Sequence, residues 1–209
     1  MYFSQNRARP AQPSTPTLTA SSDRNGICNT TAGVLAGAVF VGMLLLPLLA
    51  SAHGPTRQKV TESIDIDAPP TDVWALIGEF AGADQWMPMI TASSSDTGNE
   101  PGAIRTLVLD GGAEVIELLK KHDDEKMSFS YRIPDKTHDV AILPVSNYSS
   151  TLSVTASKGG STVTWKGAFY RGYPNNDPPP ELNDEAAVTA VSGLYQVSLA
   201  NLKAIAESP

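Results

Sequence analysis

The sequence predicts an α+β domain: a curved antiparallel sheet of about seven strands around a long C-terminal helix, with a short helix after the first strand. Three observations predict it. Short segments of alternating apolar and polar residues follow one another between residues 60 and 173, separated by turn residues. The connections are too short for crossover helices, so neighbouring strands should pair antiparallel as a meander. A single apolar stripe at spacings of three and four then runs from Val188 through Val191, Tyr195, Leu199 and Leu202 to Ala206.

Val60, Glu62, Ile64 and Ile66 alternate with Thr61, Ser63 and Asp65, a strand signature. Ala68-Pro69-Pro70-Thr71 follows, and proline suits a first helical turn because its missing N–H has no helical partner to lose. Asp72 to Ile77 reads as a short amphipathic helix that stops at Gly78. Phe80 to Met89, with Gly82, Asp84, Trp86 and Pro88, reads as a loop or broken helical turn. Six strands are expected next, over Ala92–Thr97, Ala103–Leu109, Ala113–His122, Lys126–Ile133, Ser146–Ser157 and Ser161–Tyr173. Asn99-Glu100-Pro101-Gly102, Asp110-Gly111-Gly112, Asp123-Asp124-Glu125 and Lys158-Gly159-Gly160 supply turns between them. After the Pro- and Asn-rich stretch Asn175–Pro180, Asn183 can cap a helix whose first turn carries Asp184 and Glu185, where the helix dipole favours negative charge.

The chain ahead of this domain has a different character. An uncharged apolar run, Thr31–Leu49, is preceded by Arg7, Arg9 and Arg24 and followed by Ala50-Ser51-Ala52, the small-x-small pattern of a cleavage site. Residues 1–52 are therefore expected to form an export signal, 53–58 a linker and 59–207 the domain. An uncleaved membrane anchor through 31–49 is the alternative, since about 19 apolar residues can just span a bilayer. Cleavage would remove Cys28, the only cysteine, and with it any disulfide or thiolate chemistry. It would also take three arginines and one aspartate from totals of 15 basic and 22 acidic residues. That leaves 12 against 21, a net charge of −9. Such a surface argues against nucleic acid as a partner and against membrane contact other than through the N-terminal segment. The expected location is periplasmic.

Ile66-Asp67-Ala68-Pro69-Pro70, Val73-Trp74, Phe80, Trp86, Gly102-Ala103-Ile104-Arg105 and the terminal helix stand in this element order over about residues 58–206. In that they resemble the START/Bet v 1-like superfamily of polyketide cyclases, dehydrases and lipid transport proteins. The resemblance implies a helix-grip fold with a hydrophobic-ligand cavity between sheet and helix. Leu143–Ser150, Trp165–Tyr173 and Pro174–Glu185 further resemble an exported MxaD-type subgroup. That likeness implies an accessory role beside a periplasmic methanol dehydrogenase and its cytochrome.

The residues themselves offer little catalytic chemistry. No Cys or His stands at metal-ligand spacing, so neither metal nor other cofactor is expected. His122 and His138 fall in or beside turns and read as solvated. His53 would become the N-terminus after cleavage but has no evident companion ligands. No Gly-x-Ser-x-Gly occurs, and Ser149 and Ser150 read as ordinary strand positions. The better candidates are polar groups in apolar settings: Arg105, Glu117 and Tyr131. Alternation groups Met127, Phe129, Tyr131 and Ile133 on one face. An inward apolar face would put Tyr131 in the cavity and leave Arg132 solvated. The direction of Glu117 is open because its neighbours are apolar on both faces, and a structural Arg105–Glu117 pair is the plain alternative to a ligand role. Trp86, Tyr148, Trp165 and Phe169 are the aromatic candidates for the cavity, with core packing the default and Trp86 beside Pro88 a candidate lip. Tyr170, Arg171, Tyr173, Asn175 and Asn176 form a Tyr/Arg cluster beside a proline-stiffened loop, a candidate partner surface. The expected function is an exported, non-enzymatic accessory or binding protein. A cyclase- or dehydratase-like enzyme and a carrier of lipids or other hydrophobic molecules are the alternatives.

Overall fold

A computed structural model describes residues 54–208. The apolar run 31–49, the cleavage pattern at Ala52, Cys28 and His53 lie outside the described residues. Strand β1 (Gln58–Ile66) leads into helix α1 (Pro70–Ile77). Six strands follow: β2 (Ile90–Ser95), β3 (Ile104–Leu109), β4 (Glu114–Asp123), β5 (Ser128–Arg132), β6 (Val145–Ser157) and β7 (Gly160–Arg171). Helix α2 (Asp184–Ala206) closes the chain. Single 3-10 turns stand at Ala83–Gln85, Asp135–Thr137 and Pro180–Leu182.

The seven strands form one antiparallel sheet in the order β1-β7-β6-β5-β4-β3-β2, as the meander predicts. Its curvature has local causes. Pairing slips between Ile90 and Ala92, between Leu119 and Lys121, and between Ser146 and Ser149, and each extra residue bends its strand. The last slip contains Asn147 at φ 49°, a left-handed conformation that asparagine tolerates. The slip in β4 ends the alternation there: Glu117 and Leu119 point inward, and then Lys120 and Lys121 are both exposed.

The two helices start as their sequences require. Pro70 opens α1. The Asn183 side chain caps α2 by accepting from the Ala186 N–H at 2.7 Å. Gly78 does end α1, but for a different reason than a left-handed turn. Its φ is −70°, and a Cβ there would lie 2.7 Å from the Trp74 indole. Glycine is needed because the Trp74 ring lies against it.

Helix α2 lies over β1 and β7. The stripe Val191, Tyr195, Leu199 and Leu202 is buried against them, joined by Ala187 and Ser198. The contact is tight at Tyr195. Its ring stacks on Trp165 at 4.1 Å between centroids and 9° between planes. Its hydroxyl sits over Gly167, where a Cβ would come within 2.5 Å of the oxygen. Helix α2 contacts β1 and β7 and leaves the β2–β5 side of the sheet uncovered, while α1 buries Val73 and Ile77 near β6 and β7.

The histidines correct the sequence reading. His122 belongs to the end of β4. Its Nε2 meets the Gly78 carbonyl at 2.7 Å, and its ring stacks on Phe129 at 6.1 Å. Helix α1 covers it, so it is not solvated. His138 is half-buried, with Nε2 2.8 Å from the Leu143 carbonyl.

Two expectations follow for stability. Gly167→Ala should destabilise the domain by about 1–3 kcal/mol through overpacking, and Tyr195→Phe in the same chain should relieve part of that cost. Urea unfolding of the two single variants and the double variant measures the coupling, and strict additivity would mean that the hydroxyl does not set the helix–sheet distance. Asn183→Ala should cost about 1 kcal/mol by leaving the Ala186 N–H without its cap, read as a lower urea midpoint at unchanged m.

Candidate functional site

Between α2 and the β2–β5 side of the sheet lies a cavity of about 380 Å³. The sheet contributes Leu107 and Leu109 from β3, Val115 and Glu117 from β4, Tyr131 from β5, Tyr148 from β6 and Trp165 from β7. Ile133, just past β5, adds to this wall. Met87, Met89 and Ile90 close it on one side, and Ile142 and Leu143 on another. Helix α2 supplies Ala190, Gly193, Leu194 and Val197. These four form a second stripe on α2, beside the one packed on the sheet. Val197 is 53% exposed and marks the rim. At Gly193 an added Cβ would meet nothing within 4 Å, so the helix wall there faces open space.

Glu117 is the one charged side chain in the lining. It stands directly opposite Arg105 across the β3–β4 ladder, and both are buried, at 5% and 3% exposure. The guanidinium donates to Glu117 Oε2 from Nε at 2.8 Å and again from Nη2. Its Nη1 donates to the Phe80 carbonyl at 2.6 Å. The same group lies 4.1 Å from the Phe80 ring centroid and 5.3 Å from that of Tyr131. Arg105 is therefore held behind the cavity wall. Both of its bonds to Glu117 fall on Oε2, and Oε1 accepts no hydrogen bond among the described residues. Nor is Oε1 among the atoms that are both sealed from solvent and unpartnered. It opens toward the cavity that Glu117 lines.

A hydroxyl network adjoins this pair. The Trp165 Nε1–H donates to Ser150 Oγ at 2.8 Å, and the Ser150 hydroxyl reaches the Lys166 carbonyl at 2.9 Å. A carbonyl can only accept, so the one Ser150 proton goes to it. Tyr195, 2.9 Å from Ser150 Oγ, must then donate to the serine. Tyr148, 2.5 Å from the Tyr195 hydroxyl, must donate to Tyr195. The protons of Tyr148 and Tyr195 are thus committed, and Tyr148 offers the cavity a lone pair. Burial pushes the ionisation of Tyr131, Tyr148 and Tyr195 upward. At Tyr131 the Glu117 charge adds to the effect and Arg105 partly opposes it. All three remain neutral phenols in the physiological range.

Of the residues singled out from sequence, Glu117, Tyr131, Tyr148 and Trp165 come together on the cavity wall. Arg105 pairs with Glu117 from behind it. Trp86 is 3% exposed and packs on Trp165 at 5.3 Å, so it backs the cavity and is not its lip, while its neighbours Met87 and Met89 line it. Phe169 is fully buried against Tyr148 at 6.1 Å and lies outside the lining. Tyr131 faces inward and Arg132 is exposed, as alternation predicts.

The Tyr/Arg cluster does not hold together as a surface. Arg171 is 6% exposed and ties down its own loop. It donates to the carbonyls of Tyr173 at 2.9 Å and Asn175 at 2.8 Å, and to Asp184 at 3.2 Å. Tyr170 turns to the other face of β7, where Arg57 lies 5.3 Å from its ring centroid. Asn175 and Asn176 are exposed, and Tyr173 is half-buried.

Sequence reasoning missed Ser150 as a buried junction and missed the second α2 stripe. Ser150 carries no signal beyond its inward register. The stripe has one: a glycine in the middle of an otherwise strong helix. Among the described residues no group of three or more His, Cys, Asp or Glu side chains is arranged to hold a metal ion, and no helix is long and apolar enough to cross a membrane.

Comparison with known proteins places this geometry. No curated protein matches the chain. Among solved structures, an uncharacterised protein from Bacillus thuringiensis is 29% identical with a TM-score of 0.60, over 72% of this chain and 100% of its own. The XoxI protein from Bacillus cereus is 29% identical with a TM-score of 0.57, over 71% of this chain and 94% of its own. A protein from Thermobifida fusca is 27% identical with a TM-score of 0.54, over 69% and 90% respectively. A family model matches residues 57–207, which take in the whole sheet and both helices, and the chain belongs to the polyketide cyclase/dehydrase and lipid transport family.

Proposed function

We propose that this protein binds a small, mainly apolar molecule in the cavity between α2 and the sheet, as a carrier or accessory and not as a catalyst. The observation that carries this is Gly193. Glycine in a helix interior costs about 1 kcal/mol relative to alanine, yet here it stands where a side chain would meet only empty space. With Ala190 it leaves the space between helix and sheet unfilled. The volume is at the lower end of the range for small-molecule sites, and it has room for roughly a dozen methylene-sized groups.

Binding is favoured over turnover by the state of the polar groups. Oε2 of Glu117 is engaged by Arg105, the Tyr148 proton is committed to Tyr195, and the tyrosines are poor bases and poor acids. One observation favours a catalytic alternative: Glu117 keeps Oε1 toward the cavity and could accept a proton there. Turnover of an aromatic polyketide by the wild type, lost in Glu117→Gln, would establish that alternative.

We read the carrier as exported and working beside a periplasmic dehydrogenase and its cytochrome. The apolar run 31–49 with Ala50-Ser51-Ala52 supports export, and the strings 143–150 and 165–185 support the accessory role. N-terminal sequencing of the protein recovered from its host should begin at His53. A start at Met1 in a membrane fraction would replace export with anchoring.

The cavity itself is tested with N-phenyl-1-naphthylamine, an uncharged dye that fluoresces in apolar surroundings. The wild type should bind it. Gly193→Leu should weaken binding at least about tenfold by filling the space, with a Tm equal to or above the wild type because leucine is the better helix former. Equal dye binding by both proteins, or none by the wild type, would sink the reading.

A further inference from the structure

The polar end of the cavity has a directional character. Glu117 Oε1 faces it without a hydrogen bond among the described residues, and carboxylate oxygens only accept. Tyr148 also lines it, and its proton is already given to Tyr195. Both groups therefore present lone pairs. No lysine, arginine or histidine is in the lining, and the nearest cation, Arg105, is turned to Oε2 and to the Phe80 carbonyl. Tyr131 is the remaining hydroxyl on this wall. Its hydroxyl makes no hydrogen bond among the described residues and is not sealed from solvent, so its proton is free for a ligand.

From this arrangement we infer that the cavity selects an uncharged ligand with a hydroxyl group, a compact phenol or alcohol on an apolar body, and rejects carboxylates. The inference rests on the cavity reading above and names its ligand class. A ligand hydroxyl donates to Glu117 Oε1 or to Tyr148 and accepts from Tyr131, so both of its roles are met. A hydrocarbon leaves the buried acceptors without the water they would otherwise hold, and a site built on polar groups discriminates strongly against the analogue that lacks the partner. A carboxylate brings a second negative charge to Glu117 with no facing cation, in surroundings of low dielectric. An ammonium head gains less than the carboxylate suggests, because Arg105 already offsets that charge and no second acid lines the wall.

The test is displacement of N-phenyl-1-naphthylamine from the full-length protein at pH 7 by four probes sharing one body: 4-pentylphenol, pentylbenzene, 5-phenylpentanoate and 5-phenylpentylamine. The phenol should bind at least about tenfold more tightly than the other three. Tyr131→Phe keeps the ring against Phe80 and Arg105. It should weaken the phenol several-fold while leaving pentylbenzene unchanged, a change in ratio that a packing role would not produce. Pentanoate, amine or alkylbenzene binding as tightly as the phenol would overturn the inference. So would dye binding that no probe displaces. Those results leave the cavity intact, whereas failure of the dye itself to bind removes the reading beneath it.

Discussion

The seat of Tyr195 on Gly167 sets the geometry on which the cavity depends. An aromatic side chain on α2 can come this close to a strand only where the strand lacks a Cβ, and there its ring lies flat on Trp165. The helix is thereby pinned to the β7 side of the sheet. A helix is straight over this length and the sheet is bent by three slips in pairing, so contact at one side means separation at the other. The separated side is the cavity. Substituting small residues, Ala190 and Gly193, on the helix face that looks into it enlarges a space that the curvature has already opened.

The pinning site and the polar end of the cavity are one hydrogen-bonded unit. The Tyr195 hydroxyl that touches β7 also accepts from Tyr148, which lines the cavity, and donates to Ser150, which is held by Trp165. The direction of every proton follows from two groups that cannot reverse, an indole N–H and a backbone carbonyl. The Arg105–Glu117 pair works similarly. The Phe80 and Tyr131 rings both lie against the guanidinium, and the Phe80 carbonyl takes its third bond, so its position leaves one carboxylate oxygen for the cavity. Burying such a pair brings little net stability, and losing one partner would leave a charge stranded in the core. Its clearest consequence is that the polar end of an otherwise apolar site has a fixed place and a fixed sense.

Much of this was legible in the sequence because it rests on local rules. Alternation placed Tyr131 inward and Arg132 outward, turn glycines divided the strands, and Asn183 marked the start of α2. The opposition of Arg105 and Glu117 was legible as a possibility, since a tight turn at Asp110–Gly112 nearly fixes the register of β3 on β4. The direction of Glu117 was not. Ile116 and Leu118 are apolar yet half-buried on the outer face, which erases the contrast that alternation needs. The histidines and Arg171 were misread for a shared reason. Proximity to a turn in sequence says nothing of what the rest of the chain lays over it. His122 is covered by α1 from 44 residues away, and Arg171 by its own loop and the first turn of α2.

Helix α2 shows how far a pattern can be read. Its packed stripe repeats at three and four and is visible in the sequence. Its second stripe, Ala190, Gly193, Leu194 and Val197, repeats in the same way and is equally apolar, so periodicity alone makes the two equivalent. What separates them is the shape of the opposing surface. The first meets strands whose side chains interlock with it, and the second meets strands that have curled out of reach. A mid-helix glycine is the one local sign of the difference. Placed against a packed strand, glycine permits close approach, as Gly167 does. Placed against empty space, it has no packing to permit, and its cost to the helix is then a cost of keeping the space open. The same residue type thus marks both a tight helix–sheet contact and the opening beside it, and only the partner surface tells which.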